Sequence, residues 1–169
     1  MADSVTDADS RPLLLLIDDH DDTRVPARQL LETCGFRVEI ASGGDEGMTK
    51  AVALHPDVIV TDLVMPHVSG FDVCERLKKH SATSGIPILV YTALTDSGAL
   101  ARLRDVGVDV FAIKPCLPTV VGREAHALIA GPGAGSTTDR RARVVTGYGE
   151  TIEDLFALNL DEPLTEPLE

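Results

Sequence analysis

The chain has 169 residues, of which 44% are hydrophobic, so it can bury the core of one domain but leaves too little for a second ordinary one. Its formal net charge is −12, and apart from three arginines in a Gly/Ser/Thr-rich stretch it lacks the clustered basic residues that phosphate contacts need, which argues against direct DNA binding. The apolar run at residues 13–17 is too short for a signal peptide or a membrane span, so we expect a soluble, cytoplasmic protein with no membrane contact.

Residues 1–11 are polar and aperiodic, which predicts a disordered leader before the first strand. From Pro12 onward, short apolar runs alternate with segments whose apolar residues recur at helical spacing. The strand candidates are 13–18, 37–41, 57–62, 86–92 and 109–115, and the helix candidates are 22–33, 44–54, 70–80, 97–106 and 118–130. Repeated βα units build a parallel sheet with helices on both faces, so we predict an α/β fold of the doubly wound (βα)5 type, with five parallel strands, over residues 12–130.

Two further segments follow the predicted domain. Residues 131–148 begin with GPGAGSTTD, a composition typical of a flexible linker. Residues 149–169 carry seven acidic residues and no Lys or Arg, and apolar residues between positions 152 and 158 are spaced for a short amphipathic helix that Pro163 would end. The residues leave three roles open for this acidic tail: a disordered solubilising segment, a docking peptide for a basic partner, or a segment that folds onto its own domain.

Polar side chains lie at the ends of four predicted strands. Asp18 and Asp19 end the first strand, Asp62 the third, Thr92 the fourth and Lys114 the fifth. Sheets of this type hold their functional sites at the carboxyl ends of the strands, so these side chains should meet. Three carboxylates at close range repel one another unless a cation compensates, and hard oxygen ligands of this kind suit Mg²⁺. Asp62 is then the candidate nucleophile, with Lys114 as a positive charge and Thr92 as a hydroxyl donor for a phosphoryl group.

Four segments together resemble the receiver domain of bacterial two-component response regulators, here as a stand-alone domain without a DNA-binding output domain. They are LLLLIDDHDD, VTDLVMPHVSGFDVCERL, ILVYTAL and VFAIKP. The resemblance covers residues 13–130 and implies the flavodoxin-like fold of CheY. It also implies that Asp62 is the phospho-acceptor. The implied ligands of Mg²⁺ are Asp18, Asp19, Asp62 and the backbone carbonyl of Val64.

The resemblance further implies a switch. Thr92 would carry the switch hydroxyl, Phe111 would be the switch aromatic, and a cis bond would join Lys114, which contacts the phosphoryl group, to Pro115. A phosphohistidine on a sensor histidine kinase or a histidine phosphotransfer protein would donate to Asp62. Thr92 would then move inward and Phe111 would rotate into the vacated space, altering the face made by the fourth helix, fifth strand and fifth helix. An unknown downstream protein, or a second copy of the chain in a homodimer, would read that face.

Water would slowly hydrolyse the acyl phosphate, so the chain would reset itself without turning over an external substrate. We therefore do not expect an enzyme in the ordinary sense. Leu94 and Val64 are apolar at two positions that in this family border the path of the attacking water. We hypothesise that these two side chains slow the hydrolysis.

Two alternatives belong to other functional classes. Asp19, Asp21 and Thr23 spell D-x-D-x-T after an apolar strand, the signature of haloacid-dehalogenase-type phosphatases, in which Asp19 would be the nucleophile and Asp21 the acid and base. The second alternative is a binding module that keeps the receiver fold and works without phosphorylation. Acids that open a helix usually cap its free N–H groups, which is the role we favour for Asp21 and Asp22. Pro26 lies inside the first helix pattern and predicts a helix that begins late, near Asp22, or is kinked.

Overall fold

Strands and helices alternate along the backbone in the predicted order. The fold is that of a computed structural model, which describes residues 9–131 and 143–146. The strands are β1 (Leu13–Ile17), β2 (Arg37–Ala41), β3 (Val58–Thr61), β4 (Ile88–Thr92), β5 (Val110–Ile113) and β6 (Arg143–Val145). The helices are α1 (Asp21–Thr33), α2 (Gly44–Leu54), α3 (Gly70–Lys79), α4 (Ser97–Val106) and α5 (Pro118–Ala130). The strands pair in parallel in the order β2-β1-β3-β4-β5-β6, which confirms the predicted α/β fold.

The central strands are apolar on both sides because helices cover both faces of the sheet. In β1 all five residues are buried: Leu15 and Ile17 join the core cluster on one face, and Leu14 and Leu16 join the cluster on the other. The first cluster includes residues of α2, α3 and α4, and the second includes residues of α1 and α5. Strands buried on both faces read as continuous apolar runs, which is why LLLLI is recognisable in the sequence.

The chain reverses its direction of winding between β1 and β3. From β1 it crosses to β2 on one side, and from β3 it continues through β4 and β5 on the other. Doubly wound sheets open a crevice at the carboxyl ends of the strands where the order reverses. The residues that follow β1 and β3, Asp18 and Asp62, therefore lie at this crevice.

The first helix begins at Asp21, next to its expected start, and Pro26 lies within it, in the second turn. The acids of the first turn, Asp21 and Asp22, were predicted to cap the helix and to offset its dipole. His20 occupies the N-cap position without a side-chain cap bond within residues 9–131, and Asp21 pairs with Arg24 one turn ahead. The capping role predicted for Asp21 is therefore wrong. Asp21 and Asp22 still lie where the helix dipole favours negative charge.

The sheet has six strands where the sequence analysis predicted five. β6 lies within residues 131–148, the segment predicted to be a linker, and pairs with the outer edge of β5. Three residues are too few for a period-2 pattern to stand out, so the strand was missed. Most of this linker, most of the leader and all of the acidic tail with its predicted helix lie outside the described residues.

A membrane span was not expected from the sequence. Within residues 9–131 and 143–146, none of the helices combines the length and the apolar character needed to cross a lipid bilayer.

Candidate functional site

The carboxyl ends of β1, β3 and β5 bring two of the predicted carboxylates and the predicted lysine into contact. Lys114 Nζ lies 2.8 Å from Asp62 Oδ2 and 3.6 Å from Asp18 Oδ2. Both carboxylates are largely buried, with 8% of Asp62 and 3% of Asp18 exposed. A single ammonium group therefore sits between two buried acids from different strands, which partly offsets their mutual repulsion.

Lys114 keeps its charge in this setting. Burial by itself would lower the pKa of Lys114, but the hydrogen bond to Asp62 and the negative charges of Asp62 and Asp18 outweigh it, so the pKa is raised above its ordinary value. Lys114 Nζ also lies 4.7 Å from the centroid of the Tyr91 ring, whose hydroxyl donates to the carbonyl of Cys116 at 2.7 Å. Sequence reasoning missed Tyr91, because only the pairing of β4 with β5 brings this ring beside the lysine.

Asp62 is held from two sides. Its Oδ1 accepts hydrogen bonds from the backbone amides of Leu63 and Val64, at 2.5 and 3.1 Å, while its Oδ2 accepts from Lys114. These contacts fix the carboxylate at the mouth of the crevice. The role of the Val64 backbone carbonyl as a metal ligand stays a prediction.

Gly70 supports Asp62 through its lack of a side chain. A Cβ atom at Gly70 would lie 2.0 Å from the carbonyl oxygen of Asp62 and 2.6 Å from Cα of Leu63. The Gly70 amide also donates to the carbonyl of Leu63 at 3.0 Å. The start of α3 therefore packs directly on the backbone that presents Asp62, an approach that only glycine allows.

Asp18, Asp19 and His20 form a cluster that could hold a metal ion. One ligand atom of each lies within 4.8 Å of the others. Asp19 Oδ1 is buried and has no hydrogen-bond partner among residues 9–131 and 143–146, although His20 Nδ1 lies 3.0 Å away in an orientation that makes no hydrogen bond. A buried carboxylate oxygen without a donor is unfavourable unless a cation contacts it. These oxygens fit Mg²⁺. Asp62 belongs to the same site, because Lys114 contacts both Asp62 and Asp18.

Two side chains of this corner were not foreseen from the sequence. His20 follows the acidic pair directly, and this adjacency was the only signal available. Arg24 donates to the carbonyl of Asp18 at 2.6 Å and also pairs with Asp21, so it fastens α1 to the end of β1. Its spacing of three residues from Asp21 on a helix was a usable signal for that pair, but its contact with the Asp18 carbonyl depends on tertiary structure.

The two predicted switch residues are buried in neighbouring strands. Thr92 is fully buried, and its Oγ1 accepts from the amide of Leu94 at 3.2 Å. Phe111 is also fully buried, in the core cluster that includes Val90 of β4 and Val144 of β6. Their switch roles stay predictions.

One backbone feature of this region was predicted and is confirmed. The bond between Lys114 and Pro115 is cis.

The phosphatase alternative gains no support from the position of its acid and base. The Asp21 side chain is 78% exposed and pairs with Arg24, whereas a general acid must face the nucleophile. Thr23 donates instead to Asp18 Oδ2, at 3.0 Å.

Known proteins of one family are similar to this chain. The family model for the response regulator receiver domain matches residues 14–122. The transcriptional regulatory protein AfsQ1 of Streptomyces coelicolor is 31% identical over 151 residues, which is 84% of this chain and 66% of AfsQ1. The DNA-binding dual master transcriptional regulator RpaA of Synechocystis is 38% identical over 104 residues, 62% of this chain and 43% of RpaA.

Solved receiver structures have the same fold. The chemotaxis protein CheY4 of Vibrio cholerae superposes with a TM-score of 0.64 at 28% identity, over 69% of this chain and 98% of CheY4. The receiver domain of a signal transduction histidine kinase from Syntrophus aciditrophicus gives a TM-score of 0.66 at 26% identity, over 76% of this chain and 97% of that domain.

These relatives correct one prediction about partners. The exclusion of direct DNA binding is wrong, because RpaA is itself named as a DNA-binding regulator, and AfsQ1 as a transcriptional regulatory protein. This chain spans 66% of the length of AfsQ1 and 43% of that of RpaA. The charge count behind the exclusion covers only the residues of this chain, so it does not bear on a longer protein that contains such a chain.

The family match runs from β1 into α5 and therefore includes the strand ends that carry Asp18, Asp62, Thr92 and Lys114. On this match, supported by the fold, the chain belongs to the response regulator receiver domains, which signal by phosphorylation in two-component systems.

Proposed function

We propose that the chain is a phosphorylation switch in which Asp62 accepts a phosphoryl group from a phosphohistidine donor. The observation that carries the proposal is the contact of Lys114 Nζ with both Asp62 Oδ2 and Asp18 Oδ2. Lys114 lies between a candidate nucleophile and a candidate metal ligand. Its positive charge can therefore stabilise the negative charge of the phosphoryl group while that group passes from the donor to Asp62. Phosphoryl transfer requires mainly such positioning and charge neutralisation.

The transfer makes one bond and breaks one. A carboxylate oxygen of Asp62 attacks phosphorus, the bond between phosphorus and the imidazole nitrogen of the donor breaks, and that nitrogen keeps the electron pair. The amides of Leu63 and Val64 hold Asp62 Oδ1 during the reaction, and Lys114 moves its contact from the free carboxylate to the phosphoryl oxygens. When bound by Asp18, Asp19 and Asp62, Mg²⁺ would supply further neutralisation of the phosphoryl charge.

The signal then leaves the site through Thr92 and Phe111. The Thr92 hydroxyl accepts from the Leu94 amide, which leaves its own hydrogen able to donate, and a phosphoryl oxygen on Asp62 would receive that hydrogen. Movement of Thr92 leaves space beside β5, which Phe111 can enter. When a buried aromatic side chain changes position, the added charge at Asp62 leads to a change in the shape of the protein surface near β5.

The same site resets the switch. Water attacks the acyl phosphate and restores the Asp62 carboxylate, with inorganic phosphate as the product. The chain therefore changes only its own phosphorylation state, and we propose no turnover of an external substrate. A cytoplasmic location also stays a prediction.

The proposal is tested on the intact chain with acetyl phosphate and Mg²⁺. We expect an increase in mass equal to one phosphoryl group, absent in Asp62→Asn and absent when EDTA replaces Mg²⁺. Asp45→Asn is a matched control, because the Asp45 side chain is 80% exposed and its ion-pair partner is Arg76 of α3, outside the site. A chain that takes up no phosphoryl group, and binds no beryllofluoride, would instead be a binding module that works without phosphorylation.

A further inference from the structure

The outer edge of β5 is covered by a strand that the family match does not include. The match ends at residue 122, whereas β6 comprises residues 143–145. The Cα partners across this edge are Val110 with Arg143, Phe111 with Val144, and Ala112 with Val145. An exposed sheet edge is a template for pairing, and here the same chain fills it.

Both faces of β6 are used. Val144 is 6% exposed and joins the core cluster of Phe111, while Val145 is 5% exposed and joins the cluster on the opposite face with Val121 of α5. Successive side chains of a strand point to opposite faces, so two apolar β-branched residues in a row can each fill one side. The edge of β5 therefore selects for two such residues in succession.

A buried glutamate favours an arginine at the position before the two valines of β6. Glu124 of α5 is 7% exposed, and its Oε2 accepts from Arg143 Nη2 at 2.7 Å. Its other oxygen lies 3.3 Å from Arg123, an exposed neighbour on the same helix. A cation stabilises a carboxylate buried to this extent, and of the two arginines that contact Glu124 among the described residues, Arg143 is the closer.

We propose that the β5 edge and Glu124 form a docking surface for an extended segment in which an arginine precedes two β-branched apolar residues. Residues 143–145 occupy this surface in the unphosphorylated protein, and phosphorylation of Asp62 releases them. The release rests on the proposed function, whereas the docking does not.

Phe111 couples the phosphorylation site to β6. It lies in the same core cluster as Val144 and is the partner of Val144 in the pairing of β5 with β6. In the proposed switch, Phe111 moves towards the space left by Thr92, so Val144 loses the side chain against which it packs. Backbone hydrogen bonds to β5, two buried valines and one half-exposed arginine hold β6, so losing the packing against Phe111 weakens the attachment of a strand of only three residues. Release would uncover the edge of β5 and the Glu124 carboxylate for another segment.

The strand register provides site-specific probes. Arg143 N donates to the carbonyl of Asp109, and the parallel register then directs the amides of Phe111 and Ile113 towards β6. The amide of Ala112 points the other way, towards β4. Hydrogen exchange at Phe111 and Ile113 thus reports β6, with Ala112 of the same strand as internal reference.

The docking is tested first, on the intact unphosphorylated chain. We expect Arg143→Gln and Glu124→Gln each to speed exchange at Phe111 and Ile113 by about tenfold relative to Ala112. Arg123→Gln removes the other cation beside Glu124 and should leave these ratios unchanged. Equal exchange in wild type and in both the Arg143 and Glu124 variants would overturn the docking surface. Arg143→Gln changes a half-exposed side chain, so the test does not depend on the buried Glu124 variant folding.

The release is tested with beryllofluoride and Mg²⁺ on the wild-type chain, with binding read separately from the ¹⁹F signal of the bound ion. We expect bound beryllofluoride together with about tenfold faster exchange at Phe111 and Ile113 relative to Ala112. Binding with unchanged exchange ratios would overturn the release and leave the phosphorylation switch intact. No bound signal would overturn the phosphorylation switch, and the release with it.

Discussion

At the scale of single residues, the site holds more negative charge than its one lysine can balance. Lys114 contacts Asp62 and Asp18, but Asp19 Oδ1 is buried and receives no hydrogen bond within residues 9–131 and 143–146. Groups arranged for function often reduce stability in this way, because the arrangement that binds a cation is unfavourable before the cation arrives. Asp19 is therefore the residue at which we expect metal binding and the stability of the metal-free protein to be most clearly opposed.

Asp19→Asn should stabilise the metal-free protein while removing its response to Mg²⁺. We expect the free energy of unfolding in EDTA to rise by about 1 kcal/mol, because a repelling charge is lost. Urea unfolding with EDTA and with excess Mg²⁺ measures both effects. The wild type should gain stability from Mg²⁺ and the variant should not. Asp22→Asn, which changes an exposed acid in the first turn of α1, should retain the gain; a destabilised Asp19→Asn would contradict the prediction.

Gly70→Ala should disrupt the site by displacing the backbone that carries Asp62. The new Cβ would meet the Asp62 carbonyl at 2.0 Å, so α3 or the end of β3 must shift. We expect a loss of about 2–4 kcal/mol in the free energy of unfolding and loss of beryllofluoride binding, measured by urea unfolding and ¹⁹F spectra. Gly85→Ala is the matched control, because a Cβ there has no neighbour within 4 Å in the described part of the chain. Equal effects of the two substitutions would argue against close packing as the cause.

Leu94 and Val64 should set the lifetime of the phosphorylated state. Neither side chain can orient or deprotonate water, and 62% of Val64 is exposed beside Asp62. Leu94→Glu and Val64→Asn should each shorten the lifetime by about tenfold, because a polar side chain can position the attacking water. The decay of phosphorylated protein, followed by mass, measures this. Unchanged lifetimes in both variants would remove these residues from the mechanism.

At the scale of elements, most boundaries follow from local chemistry. The fourth strand was predicted to begin at residue 86 but begins at Ile88, since Pro87 has no N–H to add to a ladder. The third strand was predicted from residue 57, but Asp57 stays outside it and its side chain accepts from the Leu13 amide at 2.7 Å. Apolar runs therefore predicted which elements exist, while a proline and a side-chain hydrogen bond decided where these two strands begin.

The start of α2 gives a pH-dependent prediction. Glu46 accepts hydrogen bonds from the amide and hydroxyl of Ser42 and pairs with Lys50. The Lys50 contact, followed by the Ser42 bonds, lowers the pKa of Glu46 from 4.5 to about 2. A carboxyl whose pKa is lower in the folded state stabilises the fold above its unfolded pKa, and this contribution is lost as the pH falls through its folded pKa.

Glu46→Gln should therefore lower the free energy of unfolding most near neutral pH. The Glu46 side chain is 40% exposed, so solvent screening limits the loss to about 0.5–1 kcal/mol at pH 7. Urea unfolding of both proteins at several pH values should show the difference shrinking below about pH 4.5, where Glu46 of the unfolded chain becomes protonated. A difference that stayed constant down to pH 3 would assign the effect to something other than this charge.

At the scale of the whole molecule, β6 should add little to global stability. Burying two valines contributes about 3–6 kcal/mol, and fixing the backbone of three residues costs about 3–6 kcal/mol. The exposed part of the Arg143 pair adds at most about 1 kcal/mol. The backbone hydrogen bonds to β5 add about 0.5–1.5 kcal/mol each, and the entropy lost in ordering the side chains of β6 offsets them, so the balance stays within a few kcal/mol of zero, as a displaceable strand requires.

A truncation after Ala130 should therefore still unfold cooperatively, with a Tm within about 5 °C of the intact chain. Thermal unfolding followed by circular dichroism measures this. A much larger fall in Tm would show that β6 is a structural part of the sheet, and would weigh against its release on phosphorylation.

The sequence by itself determined the order of the elements, the parallel sheet and the four strand ends that carry Asp18, Asp62, Thr92 and Lys114. These features follow from local patterns, because strands buried on both faces are continuously apolar and a polar residue that ends such a strand is conspicuous. The rule that parallel strands present their carboxyl ends at one edge then brings the residues together.

Only the tertiary structure decided which further residues complete the site. Tyr91 lies beside Lys114 and Arg143 pairs with Glu124 only because separate elements pack together, and Arg24 reaches the Asp18 carbonyl only once α1 docks on the end of β1. A lone aromatic or arginine carries no local pattern that distinguishes these roles. The contacts arise from shape and burial, which a chain acquires only when its elements are assembled.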